Sequence, residues 1–101
     1  MRKITEDTVR AFFAGRKFSS GNTQVRFNGS EVIMTLHCHT IAKRSPENGV
    51  YISNRGWNTN TTKERLNGIL DYLNVPRIYQ KKFEWYWKES EVFPLNKWVK
   101  V

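Results

Sequence analysis

Between Arg55 and Arg65 the sequence RGWNTNTTKER gathers Arg55, Lys63 and Arg65 around one tryptophan and a run of Asn and Thr. Arg and Lys bring charge to phosphate oxygens. Asn58, Thr59 and Asn60 bring neutral donors suited to backbone oxygens, and Trp57 offers a face on which a base can stack. If a helix starts in this stretch, its free N–H groups and dipole add to the pull on a phosphate. The same residues also describe a well-capped helix start, with Trp57 closing the core and Lys63 and Arg65 in solvent. Both readings stay open at this level.

Lys81, Lys82 and Phe83 lead into Trp85, Tyr86 and Trp87, a second basic and aromatic cluster. Aromatics beside lysines on a sheet face make a stacking platform for unpaired bases. Trp and Tyr also dominate protein–protein hot spots. In a small chain such aromatics fill the core, and Phe83 and Trp85 are expected to do so, while Trp87 and Trp98 are left open. The candidate binding set is therefore Arg55, Trp57, Asn58, Asn60, Lys63, Arg65, Lys81 and Lys82.

Other chemistry is thinly supplied. His37-Cys38-His39 offers two imidazoles where zinc needs further Cys or His ligands, so it reads as a turn and no metal site is expected. Cys38 has a neighbouring His but no orienting acid, and a small buried cysteine is the expectation. The two aspartates are Asp7 and Asp71, and Glu6, Glu31 and Glu64 have structural roles to fill. Without paired acids, a Gly-rich phosphate loop or a Ser-His-Asp set, a non-enzymatic protein without a cofactor is expected.

The 101 residues suffice for one domain with one modest core, and 39% hydrophobic content with 14% aromatics excludes a disordered chain. The formal charge of +8 favours nucleic acid, DNA or RNA, or else an acidic protein partner. A lone cysteine excludes an internal disulfide and suits a reducing cytoplasm. No apolar run is long enough to cross a membrane, and no signal-peptide core opens the chain.

The elements that must position these residues follow from periodicity. Val9, Phe12 and Phe13 mark a helix over 6–14, capped by Thr5, stapled by Ile4 and Val9 and stopped by Gly15. Thr23–Asn28 and Ser30–Leu36 flank Asn28-Gly29 as a hairpin, with Val25 opposite Val32 and Arg26 opposite Glu31. Val25, Phe27, Val32, Met34 and Leu36 then face the core, while the other face, with Gln24, Arg26, Glu31, Ile33 and Thr35, is mostly solvated. To bring Ile41-Ala42 inward, the register must reset in a turn or bulge around His37–His39. Third and fourth strands follow over 41–44 and 50–54. The second helix should start in a capping box at Thr61-Thr62-Lys63-Glu64, bury Leu66, Ile69, Leu70 and Leu73, and end with Asn74 in the left-handed C′ position before Pro76. Phe83, Trp85 and Trp87 alternate as in a strand, and residues 94–101 are either a short edge strand or a loose tail.

The fold class expected is α+β: an antiparallel meander of three to four strands on two helices, in the order α-β-β-β(-β)-α-β, as one domain over 1–101. The order of elements parallels that of double-stranded-RNA-binding domains, an analogy of fold alone. The strings YISNRGW at 51–57 and TTKERLN at 61–67 resemble a recurring pattern in small tailed-bacteriophage proteins of about 100 residues that carry no assigned function. The likeness extends to Asn22-Thr23, Thr40-Ile41-Ala42 and the aromatic cluster around Phe83–Trp87. It implies a phage accessory protein acting in the host cytoplasm and brings no site residues with it. The function expected is nucleic-acid binding through the basic, Thr/Asn/Trp-containing helix start. The alternative is an inhibitor or modulator docking on a host protein of the defence or transcription machinery.

Overall fold

Helical and alternating periodicities divide the chain much as its sequence suggests. The computed structural model describes residues 2–101. Helix α1 spans Lys3–Ala14, followed by strands β1 (Phe18–Ser20), β2 (Thr23–Asn28), β3 (Glu31–Leu36), β4 (His39–Ser45) and β5 (Gly49–Ile52). Helix α2 spans Asn60–Tyr72, and β6 (Tyr79–Lys81), β7 (Glu84–Trp87), β8 (Glu91–Val92) and β9 (Val99–Lys100) complete the fold. Two helices and wholly antiparallel pairing make it α+β, with more strands than the expected meander. A six-stranded sheet runs β1-β2-β3-β4-β5-β9, and β6-β7-β8 form a separate three-stranded sheet. The extra strands are only two or three residues long, too short for alternation to register in the sequence.

Both helices cover one face of the larger sheet. Phe12, Leu66, Ile69 and Leu70 close over Met34, Ala42 and Ile52, all fully buried. The ring of Phe13 stacks on that of Tyr72 at 4.0 Å, joining the two helices. Gly68 lines the groove between them together with Val9. At the end of α1, Gly15 takes φ 70°, and the last carbonyls of Phe12 and Phe13 accept hydrogen bonds from Arg44 of β4 at 2.6 and 3.1 Å. The cation that answers this helix dipole thus comes from the sheet rather than from Arg16 or Lys17.

Several local expectations change. Helix α1 begins at Lys3, three residues before the expected start, so Thr5 is an interior residue and the staple is not needed. The β2–β3 loop is Gly29-Ser30: Asn28 pairs with Glu31, Phe27 with Val32, Arg26 with Ile33 and Val25 with Met34. Gly29, at φ 65°, occupies the first central position, where a type II′ turn demands a glycine. Because the slip is by an even number of positions, every side chain stays on its expected face. Phe27 keeps that face yet is 47% exposed, lying beyond the helices. On the opposite face Ile33 and Thr35 are buried, contrary to expectation. Ile33 lies between Arg26 and Lys43 across the ladders, and their long stems can cover it.

The register reset occurs where the apolar pattern required it. His37 and Cys38 form a two-residue turn with φ 50° and 68°, and the β3–β4 ladder then shifts between Met34 and Thr35. The bulge lets both Ile41 and Ala42 reach the core. Cys38 is exposed at the turn, not buried. The last residues form an edge strand rather than a loose tail: Val99 and Lys100 pair with Ile52 and Tyr51.

Candidate nucleic-acid interface

Helix α2 is capped by Thr59, whose side chain accepts from the N–H of Thr62 at 3.2 Å. The capping box expected at Thr61–Glu64 does not form, because the helix starts two residues earlier and places Thr62 at N3. Glu64 is released for another task. Its carboxylate accepts from Arg2 Nε at 2.7 Å, Thr5 Oγ1 at 2.8 Å and Arg65 Nη1 at 2.7 Å. Burial pushes this carboxyl up, but the hydrogen bonds from Arg2 and Thr5 and the charges of Arg2 and Arg65 outweigh it and hold it below the ordinary value.

Arg65 is 2% exposed, which corrects its placement among accessible cations. Its guanidinium donates to Thr23 Oγ1 at 3.2 Å and Thr5 Oγ1 at 2.7 Å, tying α2 to β2 and α1. Leucine spacing shows which helix face is apolar, but it cannot show that two threonines from other elements wait opposite an arginine.

The loop before α2 is organised by Asn54, fully buried. Its Oδ1 accepts from the N–H of Gly56 at 2.9 Å and of Asn96 at 2.8 Å, and its Nδ2 donates to Asn58 Oδ1 at 2.8 Å. Arg55 takes φ 52° in this loop. Its Nη1 donates to the Thr40 carbonyl at 3.1 Å, and its guanidinium lies 5.8 Å from the Trp98 ring centre. Trp57 is 53% exposed, and its ring adjoins that of His39 at 5.5 Å. His39 pairs with Leu36 on the core side of the sheet, whereas Trp98 meets Lys43 on the other side. Arg55 and Trp57, two residues apart in sequence, therefore serve opposite faces.

The other candidates divide likewise. Asn60 begins α2 and lines a surface groove with Lys63, Glu64, Asn67 and Arg77. Lys63 reaches Gln80 Oε1 at 3.4 Å, beside Lys81. Asn67 clamps the start of β6 by donating to the Ile78 carbonyl at 3.0 Å and accepting from its N–H at 2.7 Å. Trp85 and Trp87 are buried against Phe93 and anchor the small sheet. Phe83 is not core. It is 91% exposed at a hairpin tip, where it and Lys82 take φ 68° and 51°.

The face of the larger sheet turned away from the helices carries a set that the sequence does not reveal. Cross-strand pairing places Arg26, Ile33, Lys43, Tyr51 and Lys100 in one row over β2, β3, β4, β5 and β9. At about 4.8 Å between strands, the cations of this row stand roughly 10 Å apart. Lys43 Nζ lies 4.5 Å from the Trp98 ring centre and 5.8 Å from that of Tyr51. Arg55 approaches the same Trp98 ring, so it joins this set. Cations held over rings are oriented before a ligand arrives. Only the outward parity of Arg26, Lys43 and Tyr51 on their strands hints at the row, and its last member needs a two-residue strand to be recognised.

Among protein families, the model described as Kyanoviridae Gp96 protein matches residues 1–100 of the chain. No curated protein and no solved structure matches it.

Proposed function

The chain belongs to the Kyanoviridae Gp96 family, proteins of tailed cyanophages, and from that premise we propose a non-enzymatic accessory protein that binds nucleic acid in the host cytoplasm. The observation that carries this reading is the row Arg26, Lys43, Tyr51 and Lys100 on the helix-free sheet face, flanked by Arg55 and Trp98. An open sheet face with cations for phosphates and aromatic rings for bases is a recurrent way to hold a single strand. Relative to the expectation from sequence, the binding surface moves from the start of α2 to the far side of the sheet. Arg55 stays in it and Arg65 leaves it.

The test is fluorescence anisotropy with single- and double-stranded DNA and RNA fragments across a salt series. Affinity that falls steeply with salt is expected, since released counterions drive phosphate contacts. No measurable affinity at low salt would sink the proposal.

One observation favours a second reading. Phe83 stands almost fully exposed beside Lys81 and Lys82, a shape suited to an apolar pocket rimmed by acids on a host protein. A stoichiometric host partner recovered from nuclease-treated lysate, and lost with Phe83→Ser, would favour that role.

A further inference from the structure

A cavity of about 270 Å3 opens on the other side of β4, lined by Leu36, His37, His39, Ile41, Trp57 and the threonines 59, 61 and 62. Its floor is apolar, from Leu36 and Ile41, both buried. Trp57 and His39 form adjoining walls, their rings tilted 35° to one another. The main chain at Trp57 is held from behind, where its backbone N–H donates to the Asn54 carbonyl at 2.8 Å. Thr59 and Thr62 join their hydroxyls at 2.9 Å, and His37 Nε2 lies 3.2 Å from Asn22 Nδ2. The Trp57 indole N–H, the His39 ring and the Thr61 hydroxyl are not tied to any described residue, so they remain to meet an occupant.

We infer that this cavity is a binding site for one neutral, planar nitrogen heterocycle of the nucleobase class. The volume sits just below the usual range for small-molecule sites, which limits the occupant to a single ring system. No Lys, Arg, Asp or Glu lines it, so a phosphate or carboxylate would lose hydration without gaining an ion partner. A saturated hydrocarbon would leave the hydroxyl and ring nitrogens unmatched at the rim. A heterocycle satisfies both demands, with its face on Trp57 and its edge toward Thr61 and His39. The base comes from a free nucleoside or from an unstacked position in a strand. The site lies apart from the cationic sheet face, so its occupancy does not depend on the function proposed above.

The experiment is an amide and indole NMR titration with adenosine, cytidine and uridine, and with an intact and an abasic oligonucleotide of equal length. Saturable shifts at the Trp57 indole N–H and the amides of Thr59, Thr61 and Thr62 are expected. Shifts with nucleosides identify the free ligand as a source. Shifts with the intact but not the abasic strand identify the strand. Trp57→Ala should weaken either response by about tenfold or more, and Thr61→Val should weaken it several-fold. Lys43→Glu leaves nucleoside binding unchanged even where it abolishes strand binding, which separates this site from the sheet face. No shift at these positions with any probe, or shifts that neither variant weakens, would overturn the assignment.

Discussion

Arg65 and Glu64 carry opposite charges at the junction of both helices and the sheet, and their burial turns them into structural groups. Truncating Arg65 leaves Thr5, Thr23 and Glu64 without their shared donor. Arg65→Ala should therefore cost about 3 kcal/mol and lower the melting temperature by on the order of 10–20 °C. Below that temperature the salt dependence of nucleic-acid binding should not change, because no phosphate contact has been lost. Glu64→Gln should cost about 1–2 kcal/mol at neutral pH, since the hydrogen bonds from Arg2 and Arg65 lose their anionic acceptor. The folded carboxyl titrates below its ordinary value of 4.5. Its stabilising contribution is thus complete above that value and is lost as pH falls through the lower folded value. Thermal melts of the two proteins should converge on acidification below pH 4.5, and a gap that persists there would contradict the linkage.

Among the elements, the β6–β7 hairpin departs from local preference at its tip. Lys82 and Phe83 occupy two left-handed positions where Asn-Gly is favoured, at a cost of about 1–2 kcal/mol each. The replacement Lys82→Asn with Phe83→Gly should raise the melting temperature by several degrees, measured by calorimetry. If Phe83 anchors a partner, the same protein should lose that partner while gaining stability. Helix ends behave more locally. The stop of α2 was legible because Asn74 at φ 57° lets its own N–H reach the Asp71 carbonyl and that of Val75 reach the Leu70 carbonyl. The start was misplaced because Thr59, Thr61 and Thr62 are all competent caps, and the Asn54 loop decides among them.

For the whole molecule the +8 charge matters less than where it lies. Arg77 forks onto Asp71 at 2.9 and 2.6 Å, and Lys3 and Arg10 share Asp7, so these cations are locally answered. On the sheet face Arg26, Lys43, Arg55 and Lys100 form no salt bridge among the described residues. Lys43→Glu with Lys100→Glu should flatten the log–log salt slope of single-strand binding by about 1.4. The control Lys3→Glu with Arg10→Glu removes the same net charge at a distance and should leave the slope nearly unchanged. Equal effects would mean that the protein responds to total charge rather than to this face.

What the sequence determines by itself is local: two helices from their leucine and phenylalanine stripes, the left-handed stop at Asn74, the parity of β2 and β3, and the need for a reset before Ile41. These follow from backbone preference and side-chain period, which act over a few residues. Tertiary structure alone decides that Arg65 is interior, that Arg55 and Trp57 serve opposite faces, and that residues 99–100 complete the sheet. Those outcomes depend on partners 42 and 60 positions away for Arg65, and on a strand pairing across the whole second half of the chain. The cationic row belongs to the same class, since five strands must align before its members become neighbours.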